Sequence, residues 1–446
     1  MTFFGPAQAG SPTAIEAVRA RDDDDVRRGA ELVTEFIGWQ VGIVRELTGG
    51  RGFVTTCISY QQPGIEDAEL SRALDVASGN AYYEMQDSLA HPNELPRSSG
   101  PMGWVVRGPW AVTQLADLMY SSKQAPFLVT ETNAGSIGFS AMNDSPYDGQ
   151  WRQLAWLLIA RGARLIEYWH WNTLPFGTEM YWGGVLPHSG IPGRAYHEIA
   201  RIGQELREAG GAFATAEPDY DIAVLYDSDS KFALSTQGPL RGDPFIDPDS
   251  YRHILAAFSR GIFDAARQQR LVRPQHLLPS RGGEHDAAEA AARYPVLIAA
   301  AFYTAADEDL DFLIDYARAG GHLGRWAAVT TKPAGAGRVT VVGTVPDQGL
   351  AADLVRWLAP HAVGGWTTDD SVTVSTSTDT SAATRLHVLH NWSWDEATAS
   401  PSCTMSDILS GERHPPGEKI TLRAWDVRLF RSDEAHDQDP AHRRED

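Results

Sequence analysis

The stretch FLVTETNAG, Phe127 to Gly135, decides the fold. Phe127–Thr130 reads as a buried strand, and Glu131 places a carboxylate where the apolar run stops. Thr132, Asn133 and a glycine-containing segment follow. The flanking segments repeat this plan. Upstream, ELVTEFIGWQVGIVRELTGG sets Leu32, Phe36, Trp39, Ile43 and Leu47 on one stripe of a helix that Gly49–Gly50 ends. GFVTTCISY reads as a strand, LDVASGNAYYEMQD as a short strand ending near Glu84, and Ala111–Ser122 as a helix. Downstream, GQWRQLAWLLIARGARL is a helix with Trp151, Leu154 and Leu158 on one face. LIEYWHW is a strand, and GRAYHEIARIGQELREAG is a last helix with a glycine stop.

Strand–helix alternation calls for parallel strands covered by helices. Polar residues gather after three of the strands: Glu84, Glu131, and His170 through Glu179. Function at the C-terminal ends of parallel strands is the pattern of a (β/α)₈ barrel, which takes roughly 250 residues. Only four strand–helix units are visible in residues 1–211, so the expected architecture is a partial barrel.

Residues 218–360 alternate again, through DIAVLYDSDS, SYRHILAAFSRGIFDAARQQ, YPVLIAAAFYT, DEDLDFLIDYARAGGHL and GRVTVVGTVPD. They read as a doubly wound, flavodoxin-like α/β unit. No G-x-G-x-x-G or P-loop follows a strand, so no nucleotide site is signalled. Residues 362–430 hold SVTVSTST, TRLHVLHNW and KITLRAWDVRLF, which predict a small all-β unit. The acidic tail at 431–446 and RDDDD at Arg21–Asp25 read as solvated segments.

A formal net charge of −20 argues against binding to nucleic acid or anionic membranes. Two distant cysteines, Cys57 and Cys403, offer neither metal spacing nor a disulfide framework. No apolar run is long enough to span a membrane, and the N-terminus lacks the basic start and long apolar centre of a secretory signal. The expected compartment is cytoplasmic, with no metal and no cofactor.

A carboxylate at a barrel strand's C-terminal end is placed to act on substrate. A retaining glycosidase needs two such groups about 5–5.5 Å apart. The competing reading of Glu131 is a helix cap or an ion pair with Lys123 or Arg152. In EYWHWNTLPFGTEMYWGG, Trp169, Trp171 and Trp182 offer ring faces for a sugar, and Glu179 offers a hydroxyl-binding group. Packed core aromatics are the plainer account of the same residues. Glu84 either contacts a hydroxyl or forms a loop salt bridge, and Asn133 stands beside the acid. Glu167, inside its strand, reads as a satisfied structural acid. Arg152 and Arg164 read as ion-pair formers.

APFLVTETNAGSIG, followed by YDGQWRQLAWLLIARGARLIEYWHWNTLPFGTEMYWGGVLPHSGIPGRAYHEIARIGQEL, closely resembles the β-galactosidases of glycoside hydrolase family 42. FIGWQ, FVTTCISY, LDVASGNAYYEMQD and MYSSKQAPFLVTETN are similar to that family's second half-barrel. The resemblance implies a (β/α)₈ barrel of which the chain holds strands five to eight. It also implies a trimerisation domain at 218–360 and a C-terminal β domain. The activity it implies is retaining hydrolysis of terminal β-D-galactosides, often by homotrimers, with Glu131 as nucleophile and Glu179 on galactose hydroxyls. Many relatives carry histidine three positions after that glutamate, where Trp182 stands here. The family's acid/base, in an Asn–Glu pair after the fourth strand, has no counterpart; Asn93–Glu94 is not equivalent. AGGHLGRWAAVTTKP departs from the family pattern and implies an internal deletion near Leu323–Gly324, which would weaken or alter the trimer. The expected partner is therefore a β-galactoside oligosaccharide or glycoside. The alternative is a catalytically impaired carbohydrate-binding relic, or a fragment of a split or truncated glycosidase.

Overall fold

The computed structural model describes residues 12–62, 64–93, 104–138, 143–242, 245–325, 329–379, 381–382 and 384–432. Glu94 and the tail beyond 432 lie outside them. So do the side chains of Arg21–Asp25 and of residues 323–328.

The chain opens with a long helix α1 (Pro12–Thr48) and a short α2 (Asp67–Arg72). Then β1 (Ser78–Tyr83), β2 (Val105–Val106), α3 (Pro109–Ser121), β3 (Phe127–Asn133), α4 (Gln150–Ala160), β4 (Ala163–Trp169) and α5 (Arg194–Phe213) alternate. The four strands form one parallel sheet in the order β2-β1-β3-β4. Helices α3 and α4 cover one face of it. Leu115, Met119, Phe127, Val129, Leu154 and Leu158 are buried together there. The other face carries Asn80, Leu128, Glu131, Leu165 and Glu167, none of them buried. A parallel sheet is normally covered on both faces; here the second face is covered only in part by the described residues, with Ser78 and Tyr82 buried on it and Glu131 and Glu167 accessible.

Two expectations change here. GFVTTCISY is not a regular strand. Among the described residues it makes a single parallel bridge, Ile58 to Gly79. Ile58 N donates to Ser78 O at 3.2 Å, and side chains tie the segment to the residues just before β1: Asp75 accepts from Val54 N at 2.7 Å, and Thr55 Oγ1 donates to Val76 O at 2.7 Å. Secondly, the apolar stripe of α1 does not face the core. Leu32, Phe36, Trp39, Ile43 and Leu47 are all exposed, Trp39 by 62 % and Leu47 by 80 %. Ala30 and Val41, on another side of the helix, are the buried ones.

Residues 216–218 form β5 (Ala216–Pro218), which joins the C-terminal sheet through β13 (Val372–Asp379). The α/β unit then runs β6 (Ile222–Leu225), α6 (Ser228–Gln237), α7 (Ser250–Asp264), β7 (Gln269–Val272), α8 (Pro274–Leu277), α9 (Ala287–Arg293) and β8 (Val296–Ile298). It continues through α10 (Asp307–Arg318), β9 (His322–Arg325), β10 (Thr330–Ala334), β11 (Gly337–Val341) and α11 (Gln348–Leu358). The sheet order is β10-β11-β9-β8-β6-β7. Its five parallel strands follow the flavodoxin order, with antiparallel β10 added at the edge. The apolar run of β9 ends at Leu323, yet the strand extends to Arg325, paired with β8 on one side and β11 on the other. Backbone pairing on both flanks carries it past Gly324.

The last unit adds β12 (Trp366–Thr368), β14 (Thr384–Asn391), β15 (Ala397–Pro401), β16 (Met405–Asp407), β17 (Arg413–His414), β18 (Ile420–Leu422) and β19 (Val427–Ser432) to β13. A six-stranded sheet, β17-β16-β19-β14-β13-β5, packs on a three-stranded one, β12-β15-β18. Val372, Leu389, Met405, Ile420 and Phe430 fill the space between them.

Buried arginines tie the units together. Arg152 forks onto Glu205 at 2.9 and 2.7 Å and donates to Val427 O at 2.6 Å. Arg161 pairs with Asp117 at 2.6 Å and donates to Gln269 O at 2.7 Å. Arg164, expected in an ion pair, donates instead to the carbonyls of Ala163, Ala214 and Ala216.

Candidate active site

Strand β3 bulges where the acid sits. Val129 pairs with Gly79, but Asn80 pairs with Glu131, so one residue of β3 is skipped. The pairing with β4 is irregular over the same residues. Thr130 and Glu131 consequently both reach the Asn80 side chain, which successive residues of a regular strand could not do. The bulge aims Glu131 at the open side of the sheet.

The carboxylate of Glu131 is held asymmetrically. Asn80 Nδ2 donates to Oε2 at 2.8 Å, and Tyr82 Oη donates to the same oxygen at 2.8 Å. Oε1 accepts no hydrogen bond among the described residues. Burial, and next the bond to Glu131, push the Tyr82 phenol far above its usual range, so it remains a donor. Cys57 completes the first circle of contacts, donating from Sγ to Asn80 Oδ1 at 2.7 Å. Although the residue is exposed overall, partial desolvation, then the Glu131 charge, raise its thiol. Neither alternative reading of Glu131 holds: it lies inside β3, and the next helix, α4, starts after Gly149 with no side-chain cap. Lys123 donates to the carbonyls of Ser71 and Leu74, and Arg152 is taken by Glu205.

Above Glu131 stands an aromatic group. The Tyr82 ring lies 5.1 Å from Trp104 and 6.2 Å from Trp182, and the two indoles are 5.7 Å apart. Glycines make the approach of Trp182 feasible. A Cβ on Gly135 would stand 2.7 Å from the Gly183 backbone, and Gly183 N donates to Ser136 O at 2.8 Å. The segment carrying Glu179 and Trp182 is thus clamped onto the end of β3, backbone against backbone. Trp169 stacks on His170 at 5.6 Å, and His170 Nε2 meets Trp182 O at 3.3 Å. Trp169 Nε1 is buried without a partner. Glu179 is half-buried in the turn Thr178–Tyr181, where its backbone carbonyl accepts from Trp182 N at 3.0 Å; its carboxylate makes no ion pair or hydrogen bond among the described residues.

Several expected site residues sit elsewhere. Asn133 is fully buried, with Oδ1 accepting from Tyr83 N at 3.2 Å and Nδ2 donating to Tyr83 O at 3.1 Å. Its amide is spent pinning β1 to β3, so it offers nothing to a ligand. Glu84 accepts from Arg107 at 2.7 Å and from Ser88 at 3.0 Å, the salt-bridge reading of that residue. Trp171 does not join Trp169 in one wall. It is 61 % exposed and its ring lies 6.4 Å from Tyr196 on α5. Glu167 is exposed rather than satisfied inside its strand. Asn80, Tyr82, Cys57 and Trp104 were not singled out from the sequence. The first two lie two residues apart in β1, which puts them on one face; that spacing was the available signal. Nothing in the sequence brings Trp104 near Trp182.

Residues 24–209 match the glycoside hydrolase 42 family model, described as Beta-galactosidase. Among curated proteins, Beta-galactosidase BgaA of Clostridium cellulovorans is 26 % identical over 208 residues, covering 46 % of this chain and 29 % of the relative. Beta-galactosidase Bga of Halorubrum lacusprofundi is 24 % identical over 325 residues, covering 72 % and 42 %. The solved β-galactosidase of that haloarchaeon superposes with a TM-score of 0.72 at 19 % identity, over 98 % of this chain and 71 % of that one. A GH42 β-galactosidase from G. stearothermophilus gives 0.76 at 17 % identity, over 96 % and 70 %. The chain therefore spans less than half the length of these curated relatives. At such identities the structural likeness shows the fold alone, and the sequence likeness to the β-galactosidase family model is carried by residues 24–209. No described helix is long and apolar enough to cross a membrane.

Proposed function

We propose, from the premise that this chain is a relative of the glycoside hydrolase family 42 β-galactosidases, that it carries the nucleophile side of a retaining β-galactosidase site. The observation that carries the reading is the Glu131 carboxylate. Oε2 is held by Asn80 and Tyr82, while Oε1 is left without a partner at the open face. In this reading β1, β3 and β4 correspond to strands six to eight of a (β/α)₈ barrel, and residues 54–58 to the fifth. The units at 218–360 and 362–430 are the family's trimerisation and C-terminal β domains.

Oε1 attacks C1 of a terminal β-D-galactoside as the bond to the leaving oxygen breaks, giving a galactosyl ester on Glu131. Water then cleaves the ester and restores the carboxylate. Trp182 and Trp104 offer faces to the apolar side of the ring, and Glu179 accepts from sugar hydroxyls. The acid/base carboxylate that protonates the leaving oxygen comes from polypeptide outside these 446 residues, laid over the partly covered sheet face. General acid help contributes roughly 10²–10⁴-fold, so this chain by itself turns over ordinary galactosides slowly.

The test uses a leaving group that needs no proton. Incubation with 2,4-dinitrophenyl 2-deoxy-2-fluoro-β-D-galactoside is expected to add one glycosyl group, located on Glu131 by peptide mass spectrometry. No label, or a label elsewhere, sinks the nucleophile assignment. Galactose binding by calorimetry without any label would favour the second reading, a carbohydrate-binding relic, which the unshared aromatic group around Tyr82 also supports.

A further inference from the structure

We infer that Cys57 and Asn80 form a positioning relay for Glu131: the Cys57 thiol holds the Asn80 amide in the one orientation that donates to Oε2. The inference deepens the glycosidase reading of this site and rests on it for its kinetic consequence.

An asparagine amide presents an acceptor on one side and donors on the other. Asn80 stands between a carboxylate, which needs a donor, and two donors, which need an acceptor. Cys57 Sγ lies 2.7 Å and Thr130 Oγ1 3.4 Å from Oδ1, while Nδ2 lies 2.8 Å from Glu131 Oε2. Turning the amide over would set Oδ1 against the carboxylate and lose the thiol's acceptor. Both ends of the side chain therefore favour one orientation.

The thiol matters when the carboxylate does not carry charge. As a free anion, Glu131 orients the amide by itself. As a galactosyl ester it is neutral and its grip on Nδ2 weakens. Cys57 keeps Nδ2 aimed at the place where negative charge returns when the ester is cleaved. A donor already in place needs no reorganisation at that moment.

The charges around the relay make these bonds count. Tyr82 on β1 donates to the same oxygen, and no arginine or lysine bonds Glu131 among the described residues. Glu167 on β4 adds negative charge toward Cys57, and Glu179 adds it toward Tyr82. Hydrogen bonds, not an ion pair, anchor the acid. The removal of one of two donors then leaves Oε2 half supported.

Trapping with the fluoroglycoside and release of the trapped ester by azide, which needs no base, test the relay. Cys57→Val is expected to slow release roughly three- to ten-fold, the worth of one hydrogen bond, with a smaller effect on trapping. Cys57→Ser keeps a donor and is expected within about twofold of the parent. In the Asn80→Ala background, Cys57→Val should add nothing further. Release unchanged in Cys57→Val, or an equal loss in the serine variant, overturns the relay. A second measurement does not depend on glycoside chemistry. Cys57 is exposed, so its alkylation by iodoacetamide can be followed against pH by peptide mapping. Glu131→Gln should move the alkylation midpoint downward, and an unmoved midpoint overturns the coupling. If Glu131 takes no label in any variant, the glycosidase reading falls while the alkylation profile still decides the relay.

Discussion

The chain contains two parallel sheets flanked by helices, and they are finished differently. In the α/β unit, β6, β7 and β8 are buried along their whole length, with clusters on both faces. In the first sheet, β4 is buried only at Ala163, and its neighbours on the open side stay accessible. The first arrangement is a finished core. The second keeps its acid, its aromatic group and the free Glu179 carboxylate on the face that the described residues cover only in part. The candidate site lies where the sheet is open: a carboxylate there can be reached by a ligand, whereas a core strand excludes one.

The most drastic way to break this contrast is to remove the acid. Glu131→Gln should abolish fluoroglycoside labelling while leaving the unfolding transition within about 1 kcal/mol, since the amide keeps an acceptor for Asn80 and Tyr82. Mass spectrometry and chemical denaturation check the two halves of that statement. A matched pair of truncations comes next. Ile298→Ala in the closed sheet should cost about 2–5 kcal/mol, whereas Leu165→Ala on the open face should cost less than about 1 kcal/mol. Equal losses in urea titrations would mean that the open face is packed in solution, by self-association or by a partner.

A pH effect follows from Glu198 on α5, whose carboxyl burial raises to about 7 although it accepts from Gly149 N at 2.8 Å. The folded state holds this proton more tightly than the unfolded chain, whose carboxyl titrates near 4.5. Stability is therefore lost as pH rises from about 4.5 through 7. Glu198→Gln should be more stable than the parent at pH 8, by about 1–3 kcal/mol, with the difference vanishing near pH 4. Thermal melts at the two pH values check it. The smallest expected effect on stability is on α1. Phe36→Lys with Trp39→Glu should change stability by no more than about 0.5 kcal/mol, yet reduce self-association seen by sedimentation velocity, because an exposed apolar stripe is an association surface.

The sequence made the longer helices and most strands legible. Apolar periodicity located α3, α4, α5, α7 and α10; glycines mark where α1 and α10 stop, but the glycine stop expected for α5 fails, since that helix runs through Gly210 and Gly211 to Phe213. It did not reveal α6, whose apolar pattern is weak and whose start is set by Asp227 accepting from Ser230 N. It suggested a strand at Val54–Tyr60 from β-branched composition, which a single bridge replaces. Periodicity reports that a helix has an apolar side, not what that side meets. Hence α1 was recognised as a helix while the exposure of its stripe was not.

Of the candidate site, Glu131 was readable because an acid ends an apolar run, and Trp182 and Glu179 because indole faces and a carboxylate share one segment; the glycine contact that seats that segment on β3 was not. Asn133 stands two residues from Glu131, yet its amide is spent on the Tyr83 backbone, while Glu131 keeps one carboxylate oxygen without a partner among the described residues. Local sequence was enough to name the residues able to do chemistry and the elements that carry them. Which of those side chains face solvent, and that Asn80, Tyr82 and Cys57 meet Glu131, came from the packing of distant segments. The reason is physical: strand register, a bulge and backbone contacts between glycines are set by pairing between segments some fifty residues apart, which no local pattern encodes.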